Sequence, residues 1–325
     1  MSKTTAFRHA PFVILLGCAL AVPAAAQPYP SRALRIISPF APGGGNDALC
    51  RTLAPKLSEG LKQPVVIDNR AGANGIVGTE VAARAAPDGY TIILIPSGHA
   101  VNATLYRKLP YDTLKDFTPI TLVASSPLVL AAHPSLPAKN VKELVALARA
   151  RPGQLSYGSA GIGSSGHLGG AQFEVLTGAK LLHVPYKGMG VVITDLMSGQ
   201  VSLTFGTSLS VVPHVRSGRL RAIASTGAQR SIALSDLPTV AEAGVPGYEA
   251  SLWYGFVGPA RIPPEIVRRL NSEIVTVLGM AEIRERLAGQ GVEARPTSSA
   301  EFAKLLASDI ERWAKVVQRA GIKAE

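Results

Sequence analysis

"PFAPGGGNDALC", residues 39–50, sets three consecutive glycines between two different sequence periodicities. Before them, Leu34-Arg35-Ile36-Ile37 is short, apolar and β-branched, which predicts a strand. Behind them, Ala48 to Ala54 has helical composition and spacing. The glycines therefore lie where a strand turns into a helix. The first N–H groups of a helix have no internal partner and carry the positive end of its dipole, so a loop without side chains lets an anion approach them. The plain structural alternative is a tight turn capped by Asn46 or Asp47. A P-loop would need Lys followed by Ser or Thr after the glycines, and the chain has neither there. A dinucleotide fingerprint fits better. Gly43-x-Gly45-x-x-Ala48 opens the helix, and Asp68 closes the next apolar run, Val65-Val66-Ile67, where a ribose-binding acid belongs. A β-branched side chain at Gly44 is expected to resist φ > 0 and to fill the anion's approach.

The N-terminus bears on the choice. Lys3 and Arg8 precede an apolar stretch from Pro11 to Val22, and Ala24-Ala25-Ala26 supplies the small residues of an export cleavage site. Residues 1–26 thus read as a signal peptide cleaved after Ala26, for a periplasmic protein. Leu15-Leu16-Gly17-Cys18 offers the competing reading of a lipoprotein box with Cys18 lipidated. Cleavage after Ala26 would remove two of 33 basic residues and none of 22 acidic ones, which takes the net charge from +11 to +9. The remaining basic residues are scattered among acids. That pattern argues for a basic surface that steers anions and against a nucleic-acid partner. Cys50 would be the one cysteine left, in an apolar helical pattern, so no internal disulfide is expected and a buried small hydrophobe is.

The strand, glycine loop and helix recur at mid-chain. Leu155 to Ser159 leads through Ala160-Gly161-Ile162-Gly163-Ser164-Ser165-Gly166 into a helix from His167 to Leu176, and an apolar run, Leu181 to Pro185, follows. Tyr90 to Ile95, Ile120 to Val123, Leu128 to Ala132 and Leu220 to Ala224 also read as strands. Such alternation predicts an α/β protein of two lobes, each a mostly parallel sheet flanked by helices, with the ligand cleft between them. We place residues 27–125 and 250–325 in lobe 1 and residues 126–249 in lobe 2, with hinges at the two crossings. Helices around Pro264 to Leu287 and Ala300 to Ala320 read as structural, the latter opened by the capping box Ser298-Ser299-Ala300-Glu301.

Catalysis finds little support. The histidines show no metal-ligand spacing, no Gly-x-Ser-x-Gly elbow is present, and the serines of Ser164-Ser165-Gly166-His167 stand where helix capping explains them. No enzyme, no metal and no cofactor is expected, with a dinucleotide-binding enzyme kept as the lesser alternative.

Pro39 to Asp47, Asp68-Asn69-Arg70-Ala71-Gly72-Ala73, Pro87-Asp88-Gly89-Tyr90-Thr91, Gly163 to Leu168 and His183-Val184-Pro185-Tyr186-Lys187-Gly188 together resemble the Bug (TctC-like) family. These are extracytoplasmic solute receptors of tripartite tricarboxylate transport systems, and the likeness runs in order over essentially the whole mature chain. The resemblance implies a two-lobed, type II-like periplasmic binding protein, acting as a monomer, that closes on a small carboxylate and delivers it to a membrane permease. A membrane sensor is the alternative partner. Carried over by position, Phe40, Ala41, Gly43, Gly44, Asn46 and Asp47 would grip the ligand from one lobe. Ser159, Gly161, Gly163, Ser164, Ser165 and His167 would grip it from the other. Ser97, Thr207 and Ser208 would line the cleft, and Tyr186 and Tyr254 would wall it. The chain departs from the family's usual pattern at Ala71, and at Val191-Val192, where smaller residues are common and the width of the pocket is at stake.

Overall fold

The alternation of short apolar runs with amphipathic stretches becomes ten strands and ten helices over residues 29–106 and 108–320, the part of the chain described by a computed structural model. The expected signal peptide and Cys18 lie outside these residues. The first strands and helices are β1 (Leu34–Ser38), α1 (Gly45–Leu61), β2 (Val65–Asn69), α2 (Ile76–Ala83), β3 (Thr91–Pro96) and α3 (Gly98–Leu105). A long β4 (Phe117–Ala132) leads to α4 (Val141–Ala150), β5 (Ser156–Ser159), α5 (Ser165–Thr177), β6 (Leu182–Pro185) and α6 (Met189–Met197). Then come β7 (Leu203–Thr207), α7 (Ser208–Arg216) and β8 (Arg221–Ser225). The chain closes with β9 (Ser251–Pro259), α8 (Pro264–Gly279), α9 (Ala281–Gly289), β10 (Glu293–Ala294) and α10 (Ser299–Ala320).

The strands join in one sheet ordered β2-β1-β3-β9-β4-β7-β5-β6, with β8 and β10 paired to β4 off this path. In one half β1 lies between β2 and β3, all parallel; in the other β5 lies between β6 and β7, again all parallel. The two glycine loops therefore leave the central strands of equivalent parallel trios. Both open at the carboxyl ends of those strands, where open α/β sheets bind ligands.

The antiparallel strands β4 and β9 hold the halves together. Residues 117–127 of β4 pair with β9, and residues 128–132 pair with β7 and β8. Two separate strands expected at 120–123 and 128–132 are thus a single one. Ser125, Ser126 and Pro127 interrupt the apolar pattern, yet they continue the ladder opposite Trp253, Leu252 and Ser251. The expected single helix from Pro264 to Leu287 is instead two, broken at Met280, whose backbone is extended (φ −64°, ψ 133°) behind Gly279.

Leu49, Leu53, Leu57 and Leu61 of α1 pack with Ile36, Leu94 and the α8 residues Leu270, Ile274 and Val277 in the main core. Each such side chain contributes about 1.5–3 kcal/mol on burial, which fixes the register of α1 and hence the place of its first turn. Cys50 is buried in the same core as a free thiol, and burial pushes its pKa up. The capping box of α10 forms as the sequence predicts. The Ser298 hydroxyl accepts from the Glu301 N–H at 3.2 Å, and the Glu301 carboxylate accepts from the Ser298 N–H at 2.9 Å. Among the described residues no helix is long and apolar enough to cross a membrane.

Candidate functional site

A partly open cavity of about 50 Å³ lies between the two halves of the sheet, where a single water needs about 10–15 Å³. Five helices begin at its wall: α1 through Gly44, Gly45 and Asn46, α3 through Gly98, α5 through Ser164, Ser165 and Gly166, α6 through Met189, and α7 through Thr207. Each helix start presents N–H groups without intrahelical partners and the positive end of a dipole. Five of them are worth roughly 1.5–5 kcal/mol to an anion at typical values of ~0.3–1 kcal/mol each. Phe40, Pro96, Ala160, Phe205 and Leu252 complete an apolar remainder. Among the described residues, no Lys, Arg, His, Asp or Glu lines this cavity.

Tyr254 is 1% exposed, and among the described residues its hydroxyl has no hydrogen-bond partner. Burial pushes its pKa well up, so it stays a neutral donor. It stands beside Thr207, because a Cβ built on Gly45 would fall 2.8 Å from the Tyr254 hydroxyl and 2.6 Å from Thr207 Oγ1. Only glycine fits there. The positive φ of the loop belongs to Gly43 (79°), whereas Gly44 is extended at φ −81° and ψ 168°. The expectation of φ > 0 at Gly44 is therefore corrected. A Cβ on Gly44 would make only ordinary van der Waals contact with α6, 3.5 Å from the Gly190 nitrogen.

Seven of the expected residues line the cavity: Phe40, Gly44, Asn46, Ser164, Ser165, Thr207 and Tyr254. Gly161 and Tyr186 line a second, more open pocket with Asn74, Lys187 and Val191. The Tyr186 hydroxyl there donates to Asp195 Oδ2 at 2.8 Å. The others lie behind the wall and hold it. Asp47 accepts from the Gly43 N–H at 3.0 Å, from Arg51 at 2.9 Å and from Asn69 at 3.0 Å. Burial raises its pKa, but these bonds outweigh burial and keep the carboxyl below the usual range. Ser208 donates to Pro127 O at 2.8 Å. Ser159 bonds the Gly161 carbonyl and His183 Nε2, while His167 Nδ1 accepts from the Gly163 N–H at 3.1 Å and stacks on His183 at 4.1 Å. Burial holds both imidazoles neutral, with pKa values lowered to about 4 for His167 and about 3 for His183.

Three contacts cross between the halves. The Ala41 N–H donates to Lys187 O at 3.3 Å, Ser97 Oγ meets Ser165 Oγ at 3.1 Å, and Tyr106 donates to Ile162 O at 3.4 Å. Sequence reasoning missed Pro96, Gly98, Met189, Phe205 and Leu252, and reached Asn74 only as part of the polar glycine loop from Asn69 to Gly75 that could serve the cleft. Gly188-Met189-Gly190 carried a visible signal as a further glycine turn at a helix start; Phe205 and Leu252 look like any core residue in a strand. Val191 and Val192 do not narrow the cavity: Val191 faces the outer pocket, and Val192 is buried against Gly158. Asp68, the candidate ribose-binding acid, is held by Arg35 at 2.9 Å and by Arg70 at 3.0 Å.

A family sequence model described as the tripartite tricarboxylate transporter family receptor, TctC, matches residues 49–322. The chain belongs to that receptor family. Protein BugT of Bordetella pertussis is 37% identical over 313 residues, which is 96% of each chain. Among solved structures, "R. palustris Rpa4515 with adipate" superposes with a TM-score of 0.88 at 39% identity, over 91% of this chain and 99% of that one. MatC from Rhodopseudomonas palustris with bound malate superposes at 0.84 with 32% identity, over 89% and 100%. The receptor is thus a periplasmic binding protein by fold, and its cavity sits between the halves of the sheet.

Proposed function

We propose that this receptor captures a small carboxylated solute in the cavity and delivers it to the membrane permease of a tripartite tricarboxylate transport system. Residues 27–125 with 250–325 form one lobe, residues 126–249 the other, and the chain acts as a monomer in the periplasm. The observation that carries the reading is the meeting of five helix N-termini on one cavity without an ionised side chain in its wall. Oriented amides fixed in a protein wall stabilise an anion at no cost of reorganisation. Two relatives, one solved with adipate and one with bound malate, agree with such a ligand.

The test is a thermal-shift screen of mono-, di- and tricarboxylates against uncharged and cationic solutes of the same size. A ligand at ~100 times its dissociation constant adds roughly 2.7 kcal/mol to the folded state, so a carboxylate should raise Tm. A response to sugars or amines alone would overturn the reading. Delivery is tested by pull-down from a membrane extract, where a permease subunit should be retained.

A further inference from the structure

We propose that the captured solute carries a hydroxyl group beside its carboxylate, and that Asn74 recognises that hydroxyl. This rests on the carboxylate reading above. Asn74 is 6% exposed, lines both the cavity and the outer pocket, and sits in the left-handed region at φ 49° and ψ 41°. Its side chain is oriented by Asn102 on α3. Asn102 Nδ2 donates to the main-chain carbonyl oxygen of Asn74 at 3.2 Å, which leaves Asn102 Oδ1 to accept from Asn74 Nδ2 at 2.9 Å. The two amides fix each other, so the free end of Asn74 must be its oxygen.

Among the described residues, that oxygen, Asn74 Oδ1, is buried with no hydrogen-bond partner. The Asn74 amide packs beside Gly98, where a Cβ would be 3.3 Å from Nδ2 and 3.7 Å from Oδ1. Gly98 opens α3, and the Ser97 hydroxyl just before it bonds Ser165 at the start of α5. A lone acceptor thus stands next to two of the helix starts that favour a carboxylate. In a wall otherwise rich in donors, an unpaired buried acceptor calls for a donor on the ligand. A hydroxyl supplies one without charge. An ammonium group would find no counter-charge, because Asp47 is bound to Gly43, Arg51 and Asn69 behind the wall, and the helix dipoles would repel it.

Isothermal titration of three matched pairs, malate and succinate, lactate and propionate, 2-hydroxyadipate and adipate, tests this, with aspartate as the amino counterpart. In every pair of which either member binds, the hydroxylated member should bind about 5- to 150-fold tighter, the range for leaving a buried acceptor unpaired. Asn74→Gly removes the acceptor while keeping the left-handed backbone without strain, and should bring that ratio close to one. Equal binding within the pairs by the wild-type protein would overturn the inference and leave the carboxylate reading standing. So would aspartate binding more tightly than malate, or a hydroxyl preference that survives in Asn74→Gly. Binding of none of these acids would overturn both.

Discussion

Gly190→Ala is the sharpest perturbation of the cleft. Gly190 is the second residue of α6, and a Cβ built there would lie 2.1 Å from the Pro42 carbonyl oxygen and 3.2 Å from the Gly43 carbonyl carbon. Carbon and carbonyl oxygen normally approach no closer than ~3.3 Å, so the glycine loop must retreat by more than ~1 Å. Backbone atoms supply the clash, so no side-chain rotation relieves it. The retreat breaks the Ala41 N–H to Lys187 O bond at 3.3 Å that ties the halves together. Overpacking of this kind costs about 1–3 kcal/mol. Because the strain exists only when the halves meet, it weakens the binding-competent state alone and lowers apparent affinity about 5- to 150-fold. Titration with adipate or malate reads the affinity, and small-angle scattering reads the compaction on binding, which should shrink or vanish. Ligand-free thermal unfolding should be unchanged, as it should be in Gly279→Ala, whose Cβ meets nothing within 4 Å. A Gly190→Ala protein that binds and compacts like wild type would refute closure through these loops.

Ser164→Ala should weaken carboxylate binding ten- to a hundredfold, because a hydroxyl bond to a charged group contributes roughly 1.5–3 kcal/mol; an unchanged titration would reduce Ser164 to its other role, accepting the His167 N–H at 3.3 Å. Lys187→Met should leave binding within a few-fold, since Lys187 lines the outer pocket and not the cavity. Loss of binding in that variant would show that a fixed positive charge holds the anion. Stability should fall in acid. His167 and His183, lowered to about 4 and about 3, bind fewer protons folded than unfolded below pH ~6.5, so their contribution is present above that pH and is lost as pH drops through the folded values. At pH 5 each would cost ~2 kcal/mol at 1.36 kcal/mol per pH unit if independent, and fully buried His99, lowered to about 4, acts in the same direction. Thermal melts at pH 8 and pH 5 should therefore differ by several degrees, and equal midpoints would refute the assignment.

The glycine loops, the strands before them and the helices behind them were legible because each is a local pattern: a β-branched run, residues that tolerate close backbone approach, then apolar spacing of 3.6. The strand β4 was not, because Ser125, Ser126 and Pro127 sit in it for the sake of partners more than a hundred residues away on β9. The same limit governs the site. Phe40 and Ser164 could be placed from their motifs and Thr207 from the family resemblance alone, and the polar loop Gly72-Ala73-Asn74-Gly75 could be suspected. Yet the importance of Asn74 comes from Asn102, 28 residues on, which orients it. Ser159, His167 and Ser208 look like ligand residues in sequence, but hydrogen bonds to the protein occupy them. Polar residue type and proximity to a glycine loop do not tell whether a side chain faces the ligand or props up the wall.

Neutral donors also connect affinity to shape. A lysine in the wall would hold its charge whether the halves were together or apart, and would attract anions to an open cleft. Helix N-termini act mainly over their first turn and are screened where water enters. Here the five starts come from both halves: α1 and α3 from one, α5, α6 and α7 from the other. The two groups come together where the Ala41 N–H donates to Lys187 O and Ser97 meets Ser165. On the carboxylate reading, an anion held by all five starts would gain most of its binding energy when both groups surround it, and parting them would admit water and loosen the solute without any charge having to move.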